Sequence, residues 1–263
     1  MDEECSEWQS LLRAVKHKLS QPRNSLFVVA ELSARYGTWT VRAGAAMRTL
    51  QPFRPVQLLA VEADQSGFMW LQEHVCLNGL GHATQAIRGF VSYNKVQVEF
   101  QPWEWDSKAD SVPSFTLHEL LSSYDHIGII HCDIQGWERI FPDSMELLSS
   151  KVAAIHFGTH SSEVHTQLRD AFVRGGWHVT QDILDNGEKM PGRVEDTAYG
   201  AIRILWDGVL AVENPRPLTA WSQRVHAQQL LEHEAGASER LHFGTARLLA
   251  RYIQLCHQLR RKP

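Results

Sequence analysis

Two short stretches concentrate side chains able to move protons. The first, His131-Cys132-Asp133-Ile134-Gln135-Gly136-Trp137-Glu138, closes the apolar run Ile127 to Asp133 with a carboxylate. A carboxylate in that place has to be paired or bound to something, because an isolated ion in apolar surroundings is costly. The second, Ile155-His156-Phe157-Gly158-Thr159-His160-Ser161, ends another apolar run in a histidine. If the two runs are neighbouring strands, Asp133 and His160 face one crevice. His160, with an ordinary pKa near neutrality, is suited to accept a proton there. Its competing reading is a helix N-terminal residue bonded to Ser162 or Glu163. His156 lies inside its run and reads as a core histidine satisfied by hydrogen bonds.

Two further acids end apolar runs nearer the N-terminus. Glu31 closes Leu26 to Glu31 and is followed by the small residues Ser33 and Ala34 and by Gly37; Glu62 closes Val56 to Glu62. Small residues after a strand let a ligand approach the backbone and leave amides free to bond it. A carboxylate at the end of the second strand is placed to accept the hydroxyl hydrogens of a ribose, as in nucleoside-containing cofactors. Against this stands the reading of each acid as a helix N-terminal or solvated residue. Glu31-Leu32-Ser33-Ala34-Arg35-Tyr36-Gly37 offers one glycine where a dinucleotide turn needs three, so a redox dinucleotide is disfavoured.

A divalent ion is the other chemistry open to the Asp133 region, with Asp133, His160 and Glu163 as oxygen and nitrogen donors. These supply only part of a shell for Mg, and no metal site is assigned. The string His160 to His165 is not zinc-like: His160 and Glu163 share a helix face, from which His165 is turned away. Nine tryptophans are present, and Trp103, Trp105 and Trp137 fall near loops expected above a sheet. Trp137, directly after Asp133 and Gln135, is a candidate to stack on a substrate, with Gln135 as a polar contact.

Something must hold these residues in place. Trp8, Leu11, Leu12, Val15 and Leu19 recur at helical spacing and predict an amphipathic cover helix. Strands are expected at Leu26–Leu32, Val56–Glu62, Ala83–Arg88, Ile127–Asp133, Val152–Phe157 and Trp177–Ile183, alternating with helices up to Leu50 and over Asp64–Gly79, Thr116–Tyr124, Glu138–Ser149 and Ser162–Arg174. Lys95–Trp105 alternates in polarity and reads as an inserted half-exposed strand. Residues 185–197 read as a loop, and Gly200–Asn214 as one or two strands around Asp207-Gly208. Repeated strand-helix units imply an α/β, doubly wound, mostly parallel sheet. Pro215 and Pro217 mark a boundary: 1–214 is the expected main domain, and 215–263 a helical extension packed on it.

With 263 residues, 43% hydrophobic and 21% charged, the chain is long enough for one large core, and its composition excludes disordered or fibrous classes. Its 26 Lys plus Arg against 30 Asp plus Glu give a net charge of −4, which implies no pull toward nucleic acid or anionic membrane. The cysteines Cys5, Cys76, Cys132 and Cys256 form no CxxC pair and read as reduced thiols. An acidic start, Met-Asp-Glu-Glu, and no membrane-length apolar run fit a cytoplasmic protein.

The motifs VVAELSARYGTWTVRAGAA, LLAVEAD, HCDIQGWE and IHFGTHS, in this order over about Leu26 to Trp206, resemble the FkbM-like family of S-adenosylmethionine-dependent methyltransferases. The resemblance implies a Rossmann-like class I methyltransferase sheet of about seven strands, the last inserted antiparallel. It also implies cofactor binding by Glu31, Ser33, Ala34, Gly37 and Asp133, with the ribose on Glu62 and the adenine near Gly89, Phe90 and Val91. The family's activity, O-methylation of sugars and natural products, makes a small hydroxylated molecule the expected acceptor, with Asp133 and His160 as catalytic residues; a homo-oligomer is compatible with this. Ser33 stands where the family usually carries Gly, and a negative φ would accommodate it. A methyltransferase-like binding protein with impaired catalysis is the alternative.

Overall fold

The computed structural model describes residues 3–100, 110–184, 193–197, 200–204 and 208–215, all within the compact unit Met1–Trp221. The expected helical extension beyond residue 215, Trp103 and Trp105 lie outside the described residues. The helices are α1 Glu3–Leu19, α2 Thr38–Leu50, α3 Gln65–Leu77, α4 Leu117–Leu121, α5 Met145–Lys151 and α6 Ser162–Arg174. The strands are β1 Phe27–Leu32, β2 Val56–Glu62, β3 Thr84–Arg88, β4 Phe90–Val91, β5 Gln97–Phe100, β6 Asp110–Phe115, β7 Ile129–Cys132, β8 Ala154–Thr159, β9 His178–Ile183, β10 Arg193–Thr197, β11 Gly200–Ile204 and β12 Gly208–Glu213. None of the described helices is long and apolar enough to cross a membrane.

Seven strands form one sheet in the order β3-β2-β1-β7-β8-β12-β9. β1 pairs in parallel with β2 and β7, and β8 with β7, whereas β12 is antiparallel to both β8 and β9. This is the Rossmann-like arrangement with an inserted antiparallel last strand that the resemblance implies. Every position of β1 and of β7 is buried, as expected of parallel strands covered on both faces, and this is why both read as nearly continuous apolar runs broken only by Glu31 and His131. Strand order reverses between β1 and β7, so their carboxyl ends border the crevice in which such sheets take ligands. The Asp133 amide donates to the Leu32 carbonyl at 3.2 Å and ties the two ends together.

One row across the sheet is polar. Glu31, His131 and His156 lie in register on β1, β7 and β8, and Ala211 and Gln181 continue the row on β12 and β9. Such a row needs polar partners, and α1 supplies them from its first turns. Glu7 Oε1 lies 2.9 Å from His131 Nε2, Ser10 Oγ lies 2.9 Å from His156 Nδ1, and Ser6 Oγ donates to Gln181 Oε1 at 2.6 Å. His156 is thus the satisfied core histidine the sequence suggests. Further along α1, Leu11, Ala14, Val15 and Leu19 turn to an apolar cluster with Phe27 and Val29. Hence α1 is apolar over one part of the sheet and polar over the rest.

Lys18, in the last turn of α1, is 1% exposed, and burial together with neighbouring Arg54 lowers its pKa to about 7. An unfolded lysine keeps its proton to about 10.4, so between these values the unfolded state binds more protons and stability rises with pH. Urea midpoints at pH 7 and pH 9 are expected to show this rise, at most about 1.4 kcal/mol per unit, and Lys18→Met is expected to flatten it. An unchanged slope in the variant would mean that Lys18 stays protonated in the folded protein.

Two expectations are corrected and one strand is added. The helix expected over Glu138–Ser149 is broken into 3-10 turns at Trp137–Ile140 and Pro142–Ser144 before α5. Pro142 has no amide hydrogen to continue the ladder, and the Glu138 side chain folds back onto the preceding loop. Within the loop expected over 185–197, Arg193–Thr197 is β10, paired antiparallel with β11. Its mostly polar side chains conceal the strand, and β12 joins the large sheet rather than the hairpin. β6 went unread because Pro113 interrupts it; it pairs with β4 and β5 in a small separate sheet.

Candidate active site

The first crossover, from β1 to α2, is a tight turn held from inside the protein. Glu31 is 2% exposed and accepts from the amides of Trp39 at 3.1 Å and Thr40 at 2.7 Å and from Thr40 Oγ1 at 2.5 Å. These are donors at the start of α2 that have no partner within the helix, so Glu31 caps the helix, the alternative that sequence alone left open. Its pKa is raised by burial, against the opposing pull of His131 and the Thr40 and Trp39 bonds. The Ala34 amide donates to the Val61 carbonyl and the Gly37 amide to the Ala34 carbonyl. Ala34 and Gly37 therefore contribute shape to the turn through amides already bonded. Gly37 has φ +70°, and a Cβ there would stand 2.3 Å from Leu71 Cδ1, so glycine is required on both counts.

Ser33 has φ +65°, not the negative value that would accommodate a serine, and Arg35 follows at +47°. Left-handed backbone costs a non-glycine residue about 1–3 kcal/mol, and such strain gathers at functional turns. Ser33→Gly is expected to raise stability by about 1 kcal/mol, since glycine relieves the strain but adds unfolded-state entropy. A lowered denaturation midpoint would show that the serine hydroxyl contributes more than the strain removes.

Glu62 ends β2 and is 5% exposed. Its Oε2 accepts from the Arg35 amide at 2.5 Å and its Oε1 from the Asp64 amide at 2.7 Å, so one carboxylate joins the first crossover to the start of α3. Burial raises its pKa, partly offset by those amides. Each oxygen keeps a second acceptor position beside its backbone bond, so the group could accept from a pair of ribose hydroxyls as well as from its own backbone.

At the ends of β7 and β8 the structure brings Asp133 and His160 together, with Asp133 Oδ1 3.2 Å from His160 Nε2. Asp133 lies against Gly158, whose absent side chain leaves room for it. Burial would raise the Asp133 carboxyl, but His160, His131 and Gln135 hold it below its ordinary value. Gln135, at φ +56°, donates from Nε2 to Asp133 Oδ1 at 2.9 Å and so steadies the acid. Glu138 completes the group: Oε1 lies 3.3 Å from His160 Nδ1 and accepts from the amides of Ile134 at 3.0 Å and Gly136 at 3.2 Å. Sequence reading gave Glu138 no role; the available signal was an acid two residues before Ile140 and Phe141, both buried. Glu163, the other suggested partner, accepts from Gln167 on the exposed side of α6. His165 is buried between Thr159 and Asp182.

The residues expected near an adenine separate into two kinds. Gly89 donates its amide to the Glu62 carbonyl at 2.9 Å, and a Cβ on it would stand 2.4 Å from Phe115, so its bareness serves packing. Val91 is a core residue at 3% exposure. Phe90 instead meets Trp137 edge to face, ring centroids 5.3 Å apart, and Trp137 is 42% exposed. This pair joins the segment after β3 to the loop after β7, and Tyr93 strengthens the join by donating to the Arg139 carbonyl at 3.0 Å.

Donor atoms of Asp133, Glu138 and His160 lie within 4.8 Å of one another, as do those of Glu7, His131 and His156. In both groups the donors already face each other: His131 meets Glu7, and His160 presents one nitrogen to each carboxylate. An imidazole offers an ion one nitrogen at a time.

No protein-family model matches the chain, and no curated protein matches it. Solved structures do. A METTL16 MTase domain is 13% identical with a TM-score of 0.47, covering 81% of this chain and 68% of that one. The C-terminal domain of precorrin-6Y C5,15-methyltransferase from Rhodobacter capsulatus is 13% identical with a TM-score of 0.45, covering 78% and 86%. M. capricolum TrmK, in complex with S-adenosyl-homocysteine, is 10% identical with a TM-score of 0.41, covering 78% and 68%. At these identities the likeness concerns the path of the chain and bears on no residue's role.

Proposed function

We propose that this chain is an S-adenosylmethionine-dependent methyltransferase of the FkbM-like kind, O-methylating a hydroxyl of a sugar or other small natural-product-like acceptor. The observation that carries the reading is the placing of Glu62 and the Asp133–His160 pair at strand carboxyl ends on the two sides of the point where strand order reverses. Glu62 would take the ribose hydroxyls, the turn Ser33–Gly37 would border the methionine part, and the Phe90–Trp137 pair would flank the planar ring or the acceptor. When bound, the cofactor would supply an electrophilic methyl on a sulfonium, with a neutral thioether as the leaving group.

The chain's own contribution is positioning and proton removal. The acceptor hydroxyl is held by Asp133, and its proton passes to His160 as the oxygen attacks, leaving a methyl ether and an imidazolium that returns its proton to water. Restricting a hydroxyl to the line of the methyl is itself a large source of rate.

Ser33 favours a second reading. Its strained φ is one that the glycine usual in the family would hold without strain, so a methyltransferase-like binding protein with impaired catalysis is the rival. Calorimetry with S-adenosylmethionine, S-adenosylhomocysteine and NAD separates the cases. Binding of the first two is expected. Binding of NAD alone would overturn the proposal, and binding of none would favour the rival.

A further inference from the structure

We propose that Glu138 is a positioning residue for His160, holding the ring proton at Nδ1 so that Nε2, beside Asp133, is the nitrogen presented to the acceptor. The inference rests on the reading of His160 as the base, and deepens it.

Glu138 is fully buried in the 3-10 turn after Asp133. As a clasp for that loop it needs only one oxygen, and Oε1 alone accepts both loop amides; a glutamine could do the same. The second oxygen, Oε2, is buried with no hydrogen-bond partner among the described residues. A buried polar atom left in that state is unfavourable, and more so on a charged group, so the carboxylate's charge calls for a counterpart. Among the described residues its ion-pair contact is His160.

The two carboxylates at the ring differ in environment. The Glu138 side chain is 0% exposed and fixed by the loop amides, whereas Asp133 is 38% exposed and accepts from the exposed amide of Gln135. A ring proton placed toward Glu138 relieves a carboxylate that water cannot reach. Placed toward Asp133 it would serve one that is partly exposed and already accepts from Gln135 Nε2. The imidazolium pairs with both carboxylates, and the neutral ring it leaves on giving up a proton is an Nδ1–H imidazole with a lone pair on Nε2, the arrangement in which a buried acid sets the tautomer of a general base.

Nitrogen NMR of the imidazole in the cofactor-free full chain reads this without any activity. The wild-type protein is expected to show the Nδ1–H tautomer, and Asp133→Asn is expected to retain it. Glu138→Gln is expected to weaken proton binding by His160 about tenfold, with the basic form appearing at lower pH. In the enzyme, the limb of the kcat profile that reports the base should move with it, while affinity for S-adenosylhomocysteine changes little. A predominant Nε2–H tautomer in the wild type overturns the proposal, even if Glu138→Gln does not fold. So does an unshifted His160 titration in a folded Glu138→Gln. A shifted titration in a protein that binds no S-adenosylmethionine would sustain the Glu138–His160 coupling while removing the methyltransferase reading.

Discussion

Replacing His160 by alanine is expected to lower turnover on the proper acceptor by about 10² to 10⁴ while leaving affinity for S-adenosylmethionine nearly unchanged. The magnitude follows from the role: a group that accepts the proton as the oxygen attacks acts only in the transition state, so its loss falls on kcat. The effect is confined because His160 follows β8 and stands between Asp133 and Glu138, whereas the ribose would fall to Glu62 at the end of β2. Asp133→Asn should weaken acceptor binding as well, since it removes the charge that holds the hydroxyl. Because Asp133 is held below its ordinary pKa, its stabilising charge is present above that ordinary value and is lost as pH falls through the lowered one. Single-turnover methyl transfer across pH, with cofactor affinity measured alongside, checks both variants. Normal turnover by His160→Ala would end the general-base assignment and leave orientation as the main source of rate. Activity that vanishes with a chelator would recast Asp133 as a metal ligand.

How far these residues were legible depended on how local their constraints are. β1, β2, β7 and α6 stood out because buried parallel strands and a helix stopped by glycine write their own patterns, the runs of apolar residues and the Gly175-Gly176 pair after Arg174. Asp133 and His160 could be paired because adjacent strands were inferable from the repeated units. Glu138 could not be paired. Its partner lies 22 positions further along the chain, and the helix expected there would have turned the side chain elsewhere.

The polar row under α1 escaped for a related reason. His131, His156 and Gln181 sit on different strands, and only the sheet register brings them beneath Ser6, Glu7 and Ser10. In sequence those three look like the solvent face of an amphipathic helix, when in the fold they meet the sheet. Glu31 shows the opposite difficulty. A strand-end acid before a small-residue turn fits a ligand and a helix N-terminus equally well, and only the bonds to Trp39 and Thr40 decide between them.

Glu62→Ala is expected to weaken S-adenosylmethionine binding by about 10²-fold or more, since charge-assisted bonds to two ribose hydroxyls are worth about 1.5–3 kcal/mol each. A strand-end acid serving only the ribose would leave the fold little affected by this change, but Glu62 does more. The same carboxylate holds the Arg35 and Asp64 amides, and alanine leaves both without their acceptor, at a cost of about 1–3 kcal/mol for each one that stays buried. Glu62→Gln separates the two effects: its amide oxygen still serves one backbone donor, while the charge that favours the ribose is gone. Calorimetry should therefore find both variants weak in cofactor binding, and denaturation should find the alanine variant the less stable. A pH series adds an independent reading. Burial raises the Glu62 pKa above its ordinary value, so wild-type affinity should fall as pH is lowered through that raised value, because the protonated acid accepts poorly; the glutamine variant should lack this fall. Full affinity in Glu62→Gln at every pH would make Glu62 a clasp for the crossover turn alone and move the ribose to other residues.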